Sequence, residues 1–146
     1  MLKVSEAASL ALHTMVYLSH RPGVQVSARE IAGELGVSEA HLSKVLQRLA
    51  RLGLVSSSRG PKGGFTLGSG YRQVSLLDIY EAIEGPLPDR DCFRTTRVCT
   101  ARDCIFGGLL GDVNKQVRQY MSATRLPDLA GVAGGANGGN QEGCQD

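Results

Sequence analysis

Three cysteines, Cys92, Cys99 and Cys104, stand in a C-x6-C-x4-C spacing. Thiolates are soft ligands that suit iron–sulfur clusters and zinc. An irregular loop lets three sulfurs converge without helix geometry forbidding it, and the spacing lacks the C-x2-C pair of most zinc ribbons. In a reducing compartment, clustered cysteines read as metal or redox chemistry before they read as a structural disulfide. Three chemistries follow: an iron–sulfur cluster, a zinc site, or a thiol switch that oxidises to a disulfide. Cys144 stands apart near the end of the chain and is expected to be incidental.

A second group of residues has the chemistry of nucleic-acid contact. Ser38, Ala40, His41 and Lys44 fall in the first turns of a predicted helix. Ser and His hydrogen-bond base edges, Ala meets a thymine methyl, and Lys suits guanine O6/N7. Arg48 and Arg51 lie farther along the same face and suit phosphate. Arg59, next to Gly60, stands at the tip of a predicted hairpin, where a close backbone approach would let it enter a narrow minor groove. Lys62 would take phosphate.

The elements that must position these groups are legible in the periodicity. Ser5 caps a helix over 5–19, with one apolar line through Ala7, Ala11, Thr14/Met15 and Leu18 and another through Ala8, Leu12 and Val16. Ser27 and Glu30 form a capping box for a short helix ending at Gly36. Ser38 starts the next helix, whose stripe of Leu42, Val45, Leu46, Leu49 and Leu52 runs to Gly53, giving a helix-turn-helix. Two short strands, 54–59 and 65–67, flank a Gly-rich turn in which several positions are free to take positive φ. Ser75 caps a helix over 76–84, ended by Gly85-Pro86. From about Asp103 the residues Phe106, Leu110, Val113, Val117, Tyr120 and Thr124 step by four and three, a coiled-coil-like seam that wants a partner helix. The fold class is mainly α with a small β-hairpin: a winged helix-turn-helix at 1–85, a cysteine loop at 86–104, a long dimerisation helix at 105–130, and a Gly/Asn/Gln-rich tail at 131–146 expected to be disordered.

Composition sets the bounds. The 146 residues favour one domain, and 42% apolar content supports a packed core. Aromatics are 5% with no Trp, which argues against a stacking platform for single-stranded nucleic acid. No apolar run approaches the roughly 20 residues of a membrane span. No signal peptide is apparent, so the cytoplasm is the expected compartment. The net charge of +2 conceals an asymmetry: residues 1–72 hold nine basic and four acidic side chains, residues 73–146 seven and ten. The basic half suits a polyanion. No G-x-S-x-G, Walker loop or H-E-x-x-H motif is present, so an enzyme is not expected. An iron–sulfur electron carrier would not need the basic helix and the wing; a third class is a protein-interaction module that has lost DNA binding.

The residues Ile31-Ala32, Val37-Ser38, Leu42, Leu49, Gly53-Leu54-Val55, Arg59-Gly60, Gly63-Gly64-Phe65 and Leu67-Gly68 resemble the bacterial winged-helix regulators typified by IscR, NsrR and CymR. The similarity continues through Ser75 to Ile79, Ala82 to Gly85, the cysteine loop and Leu126 to Leu129. It implies a transcription regulator that binds a pseudo-palindromic double-stranded DNA operator as a homodimer, with the long helices crossed at the interface. Val37-Ser38, His41 and Lys44 resemble the nitric-oxide-sensing NsrR type, while Ala40 departs from both NsrR and IscR. The resemblance also implies a 2Fe–2S or 4Fe–4S cluster on Cys92, Cys99 and Cys104 that tunes DNA binding. Gly107 stands where IscR-like members place a histidine ligand, and Ser9 where other members place an acidic one. His13 matches a histidine ligand found on the first helix in one member type, with Glu6 a second candidate. The alternative for His13 is an ordinary, partly buried histidine.

Overall fold

The computed structural model describes residues 3–89, 92, 104–129 and 131. Helix α1 (Glu6–Ser19) forms because the Ser5 hydroxyl accepts the Ala8 amide at 3.1 Å and Glu6 complements the positive end of the helix. It buries Ala8, Leu10, Ala11, Thr14, Met15 and Leu18, more than a single stripe, because α4, α3 and α2 all pack against it. Helix α2 (Ala28–Leu35) starts under the Ser27 hydroxyl, which accepts the Glu30 amide at 3.2 Å. The box with both halves in place lies elsewhere, at Ser75 and Asp78. Gly36, at φ 66°, turns the chain in the left-handed region, and Ser38 then caps helix α3 (Glu39–Arg51) through the His41 amide.

Helix α3 buries Leu42, Val45, Leu46 and Leu49. The expected fifth member of that stripe, Leu52, is the C-cap and is 55% exposed, because the helix has already ended when it is reached. The wing follows as β1 (Val55–Ser58) paired antiparallel with β2 (Gly64–Leu67), Val55 opposite Leu67 and Ser58 opposite Gly64. A backbone bridge holds the wing to the chain just before α2: the Val26 and Phe65 amides each donate to the other's carbonyl, at 2.9 and 2.7 Å. The wing glycines are needed for a reason other than the expected one. Within the turn only Gly60 takes positive φ, at 108°. At Gly63 and Gly64 a Cβ would lie 2.5 Å from the Ser58 carbonyl oxygen and 2.6 Å from that of Val26, so the requirement there is close backbone approach.

Helix α4 (Leu76–Glu84) opens with the reciprocal box: the Asp78 carboxylate accepts the Ser75 amide at 2.7 Å while the Ser75 hydroxyl accepts the Asp78 amide at 3.2 Å. Helix α5 spans Leu109–Ala123, a later start than the seam predicts. Gly107 and Gly108, at φ 54° and 93°, place a turn where the pattern implied helix, and Phe106 lies in that turn. Thr124 is extended, and its carbonyl accepts the Leu76 amide at 3.0 Å while the Leu126 amide donates to Val74. Met121 and Leu126 thereby join the same core as Ala8, Met15, Leu46 and Ile79. The tail from residue 132 lies outside the described residues.

The Thr14 hydroxyl is buried in this core and, among the described residues, has no hydrogen-bond partner. An unmet buried hydroxyl is destabilising, and Val has nearly the same shape. Thr14→Val is expected to raise the unfolding free energy by about 0.5–1 kcal/mol, seen as a higher urea midpoint at unchanged m-value.

Candidate nucleic-acid interface and cysteine segment

The outward side of α3 exposes Glu39, Ala40, Lys44, Gln47, Arg48 and Arg51. Lys44, Gln47, Arg48 and Arg51 line one open concavity of about 360 Å3. Their spacing of three, four and seven residues puts them on one helical face, so the three cations are presented together. The Ser38 hydroxyl accepts the His41 amide and keeps its own O–H and one lone pair for another partner. Arg59, Gly60 and Lys62 are all exposed in the turn of the wing, as the sequence pattern requires.

His41 is less free than expected. Its side chain is 34% exposed, and Nδ1 lies 3.7 Å from Oε1 of Glu6. Glu6, a second candidate for the cluster, therefore stands beside the start of α3. Nothing in the sequence signals that pairing, since it depends on how the ends of α1 and α3 cross.

Cys92 and Cys104 are half-buried and carry thiols rather than a disulfide. Cys99 lies outside the described residues. The chain leading to Cys92 is strapped to two helices. The Glu81 carboxylate of α4 accepts the Leu87 amide at 2.9 Å. Arg118 of α5 donates to the Leu87 carbonyl and stands 3.8 Å from that same carboxylate. Asn114 of α5 donates to the Pro88 carbonyl at 3.4 Å. On the other side of the segment, the Cys104 carbonyl accepts the Gly107 amide at 3.0 Å, in the turn that leads to α5.

His13 is exposed on α1, not partly buried, and its Nδ1 lies 2.7 Å from the Ser9 carbonyl oxygen. A carbonyl accepts only from N–H, so this contact puts the proton on Nδ1 and leaves Nε2 as the ring's donor atom toward a metal. Among the described residues no three His, Cys, Asp or Glu side chains of one chain come together at metal-binding distance. Helix α5 divides its two faces. Asn114, Val117 and Met121 turn inward, while Leu109, Val113 and Tyr120 (64%) are exposed beside Ile105 (90%) and Phe106. The seam residues are thus split between the chain's own core and an uncovered apolar face.

Among the described residues no helix is long and apolar enough to cross a membrane. The chain is 36% identical over 83 residues to BadM, named as an HTH-type transcriptional regulator, of Rhodopseudomonas palustris, a match covering 57% of this chain and 53% of that one. The chain thus spans about half the length of the first curated relatives it matches. Among solved structures it is similar to CymR, the global cysteine regulator of B. subtilis, with a TM-score of 0.77 and 28% identity over 90% of this chain and 98% of that one. It is also similar to T. potens IscR, with a TM-score of 0.71 and 27% identity over 94% of each chain. These are winged-helix regulator structures, and the described helices and wing have the same fold. The Rrf2 family model matches residues 4–131, and the chain belongs to that family of iron-dependent transcriptional regulators.

Proposed function

We propose that the protein is a homodimeric operator-binding regulator whose affinity for DNA is set by the state of its cysteine segment. The observation that carries the DNA half is the alignment of Lys44, Arg48 and Arg51 on the open face of α3, beside a wing whose turn exposes Arg59 and Lys62. In this reading α3 enters the major groove with Ser38, Ala40, His41 and Lys44 nearest the bases, Arg48 and Arg51 meet phosphates, and Arg59 with Gly60 reaches the minor groove. The uncovered face of α5, with Leu109, Val113 and Tyr120, is the surface on which a second copy packs, and two-fold symmetry then calls for a pseudo-palindromic site.

The donor set suits a soft metal centre, and the match to a family of iron-dependent regulators favours an iron–sulfur cluster over zinc. Cys92 and Cys104 are thiols at the two ends of one segment, and Cys99 lies between them in sequence. The thiolates of Cys92, Cys99 and Cys104 would hold a 2Fe–2S or 4Fe–4S cluster, and the outward Nε2 of His13 of the partner subunit would complete it. When bound, such a cluster supplies chemistry that responds to iron supply, to oxidation or to nitric oxide. The chain's own residues convey the change. Glu81, Arg118 and Asn114 tie the root of the segment to α4 and α5, and α4 packs on α3. A shift at Cys92 thus moves the helices that set the spacing of two recognition helices.

The test combines iron and acid-labile sulfide assays on anaerobically purified protein with duplex-DNA titrations before and after chelation. Visible absorption with matched iron and sulfide, lost in Cys92→Ala and Cys104→Ala, is the expected result. Loss of the cluster should then change DNA affinity by about 5- to 150-fold. A colourless protein with zinc or no metal, even after reconstitution, would sink the cluster and leave a thiol switch or structural zinc. Identical affinity in every state would remove the switch altogether.

A further inference from the structure

The buried residues of α3, Leu42, Val45, Leu46 and Leu49, fix the direction in which the helix faces the core. At about 100° per residue, Ala40, Lys44, Gln47 and Arg51 all point within about 30° of the opposite direction. Arg48 lies about 70° and His41 about 90° to one side of that line, and Ser43 about 70° to the other. The observed burial agrees: Ala40, Lys44, Gln47 and Arg51 are exposed, whereas His41, Ser43 and Ala50 are half-buried. The midline of the open face is therefore Ala40, Lys44, Gln47 and Arg51, with Gln47 set between two cations.

Lys44, Gln47, Arg48 and Arg51 line the same concavity. The three cations can only donate hydrogen bonds, while Gln47 also accepts, through Oε1. Among the described residues its side-chain amide makes no hydrogen bond or ion pair, so both of its ends are open to a ligand. A helix seated in the major groove turns its midline to the base edges and its flanks to the phosphate walls. Gln47 stands on that midline, and Arg48 on a flank. An amide facing base edges pairs with adenine through two hydrogen bonds, Oε1 accepting from N6–H and Nε2 donating to N7. Guanine offers acceptors at both places and sets O6 against Oε1, and cytosine and thymine each offer one polar group. From Lys44 to Gln47 the helix rises about 4.5 Å, one to two base-pair steps of about 3.4 Å.

We propose that Gln47 is a specificity-determining residue: its side-chain amide pairs with the N6/N7 edge of one adenine in each half-site, one or two base pairs from the base that Lys44 meets. This rests on the DNA-binding reading above, and it adds a base-reading group in the third turn of α3.

The experiment selects bound sequences from a random duplex library with the anaerobically purified full-length protein. Wild type, Gln47→Ala, Gln47→Glu and Lys44→Ala are compared, with thermal midpoints measured alongside. Both positions are exposed, so the midpoints should agree. The expected result is that wild type enriches adenine at one position of each half-site, and that Gln47→Ala relaxes this position by about 10-fold with the others retained. Gln47→Glu, whose carboxylate only accepts, should shift the preference there to cytosine, at lower affinity overall. Lys44→Ala should relax a different position, one or two base pairs away. Unchanged preferences in Gln47→Ala would overturn the proposal and leave Gln47 a solvated side chain. An equal loss of affinity for all sequences would also overturn it, marking Gln47 as a phosphate contact. So would a relaxed position that holds a base other than adenine. If wild type enriches no sequence, the DNA-binding reading itself fails, a result that wild type alone reveals and that is distinct from the others.

Discussion

Gly68→Ala is expected to lower the unfolding free energy by about 2–4 kcal/mol. A Cβ built at Gly68 would lie 2.1 Å from the Gly53 carbonyl oxygen, well inside any real contact. That oxygen belongs to backbone with little room to yield. The Gly53 amide donates to Ala50 at 3.0 Å, the Leu54 amide to Leu49 at 3.0 Å, and the Gly68 amide to Leu54 at 2.9 Å. Relief of the clash must break this junction between the end of α3 and the wing. Gly70→Ala is the control: it lies two residues on, at φ −90°, with open space around the added methyl. It should change stability by less than about 0.5 kcal/mol. Urea titrations of both variants provide the check, and equal midpoints would show that the contact relaxes at no cost.

The combined variant Lys44→Ala/Arg48→Ala/Arg51→Ala should abolish measurable duplex binding near physiological salt while leaving the fold intact. All three side chains are exposed, so the core is untouched. In the proposed dimer, Arg48 and Arg51 of each protomer meet phosphates, so the slope of log K against log salt falls by about 4, and with the base contact of Lys44 also lost affinity drops by three orders of magnitude or more. Arg48→Ala alone should reduce the slope by about 2 per dimer and weaken all sequences alike. An unchanged slope in the triple variant would mean that DNA, if bound, lies elsewhere on the molecule.

The helices, the cap residues Ser5, Ser38 and Ser75, and the hairpin were legible because each follows from local chemistry: a hydroxyl before an apolar period, or glycines between two short β-prone runs. What was not legible depends on contacts between segments distant in sequence. The start of α5 was misplaced because an apolar step of four and three continues through Phe106, whereas Gly107 and Gly108 interrupt the backbone without disturbing that pattern. Leu52 fits the stripe of α3 by number but lies one residue past its last turn. The contact of Glu6 with His41 joins positions 35 residues apart, and no periodicity encodes it. The cysteine spacing pointed to soft-metal chemistry, yet spacing alone does not say which other side chain completes the set. His13 came from resemblance, and a hydrogen bond from its Nδ1 to the Ser9 carbonyl requires the proton on that nitrogen.

Leu87 and Leu126 belong to the same core as α1 and α4, and Leu87 is held from both α4 and α5. Among the described residues, the framework is therefore closed on each side of the cysteine segment. Closing a longer loop between fixed ends costs only about 0.6 kcal/mol per doubling of its length. Insertions, deletions and new ligand spacings within 90–103 can thus accumulate while the DNA-reading half keeps its shape. One scaffold can in this way be re-addressed to a different chemical signal by editing a single stretch of sequence, with operator recognition and signal recognition evolving at separate rates.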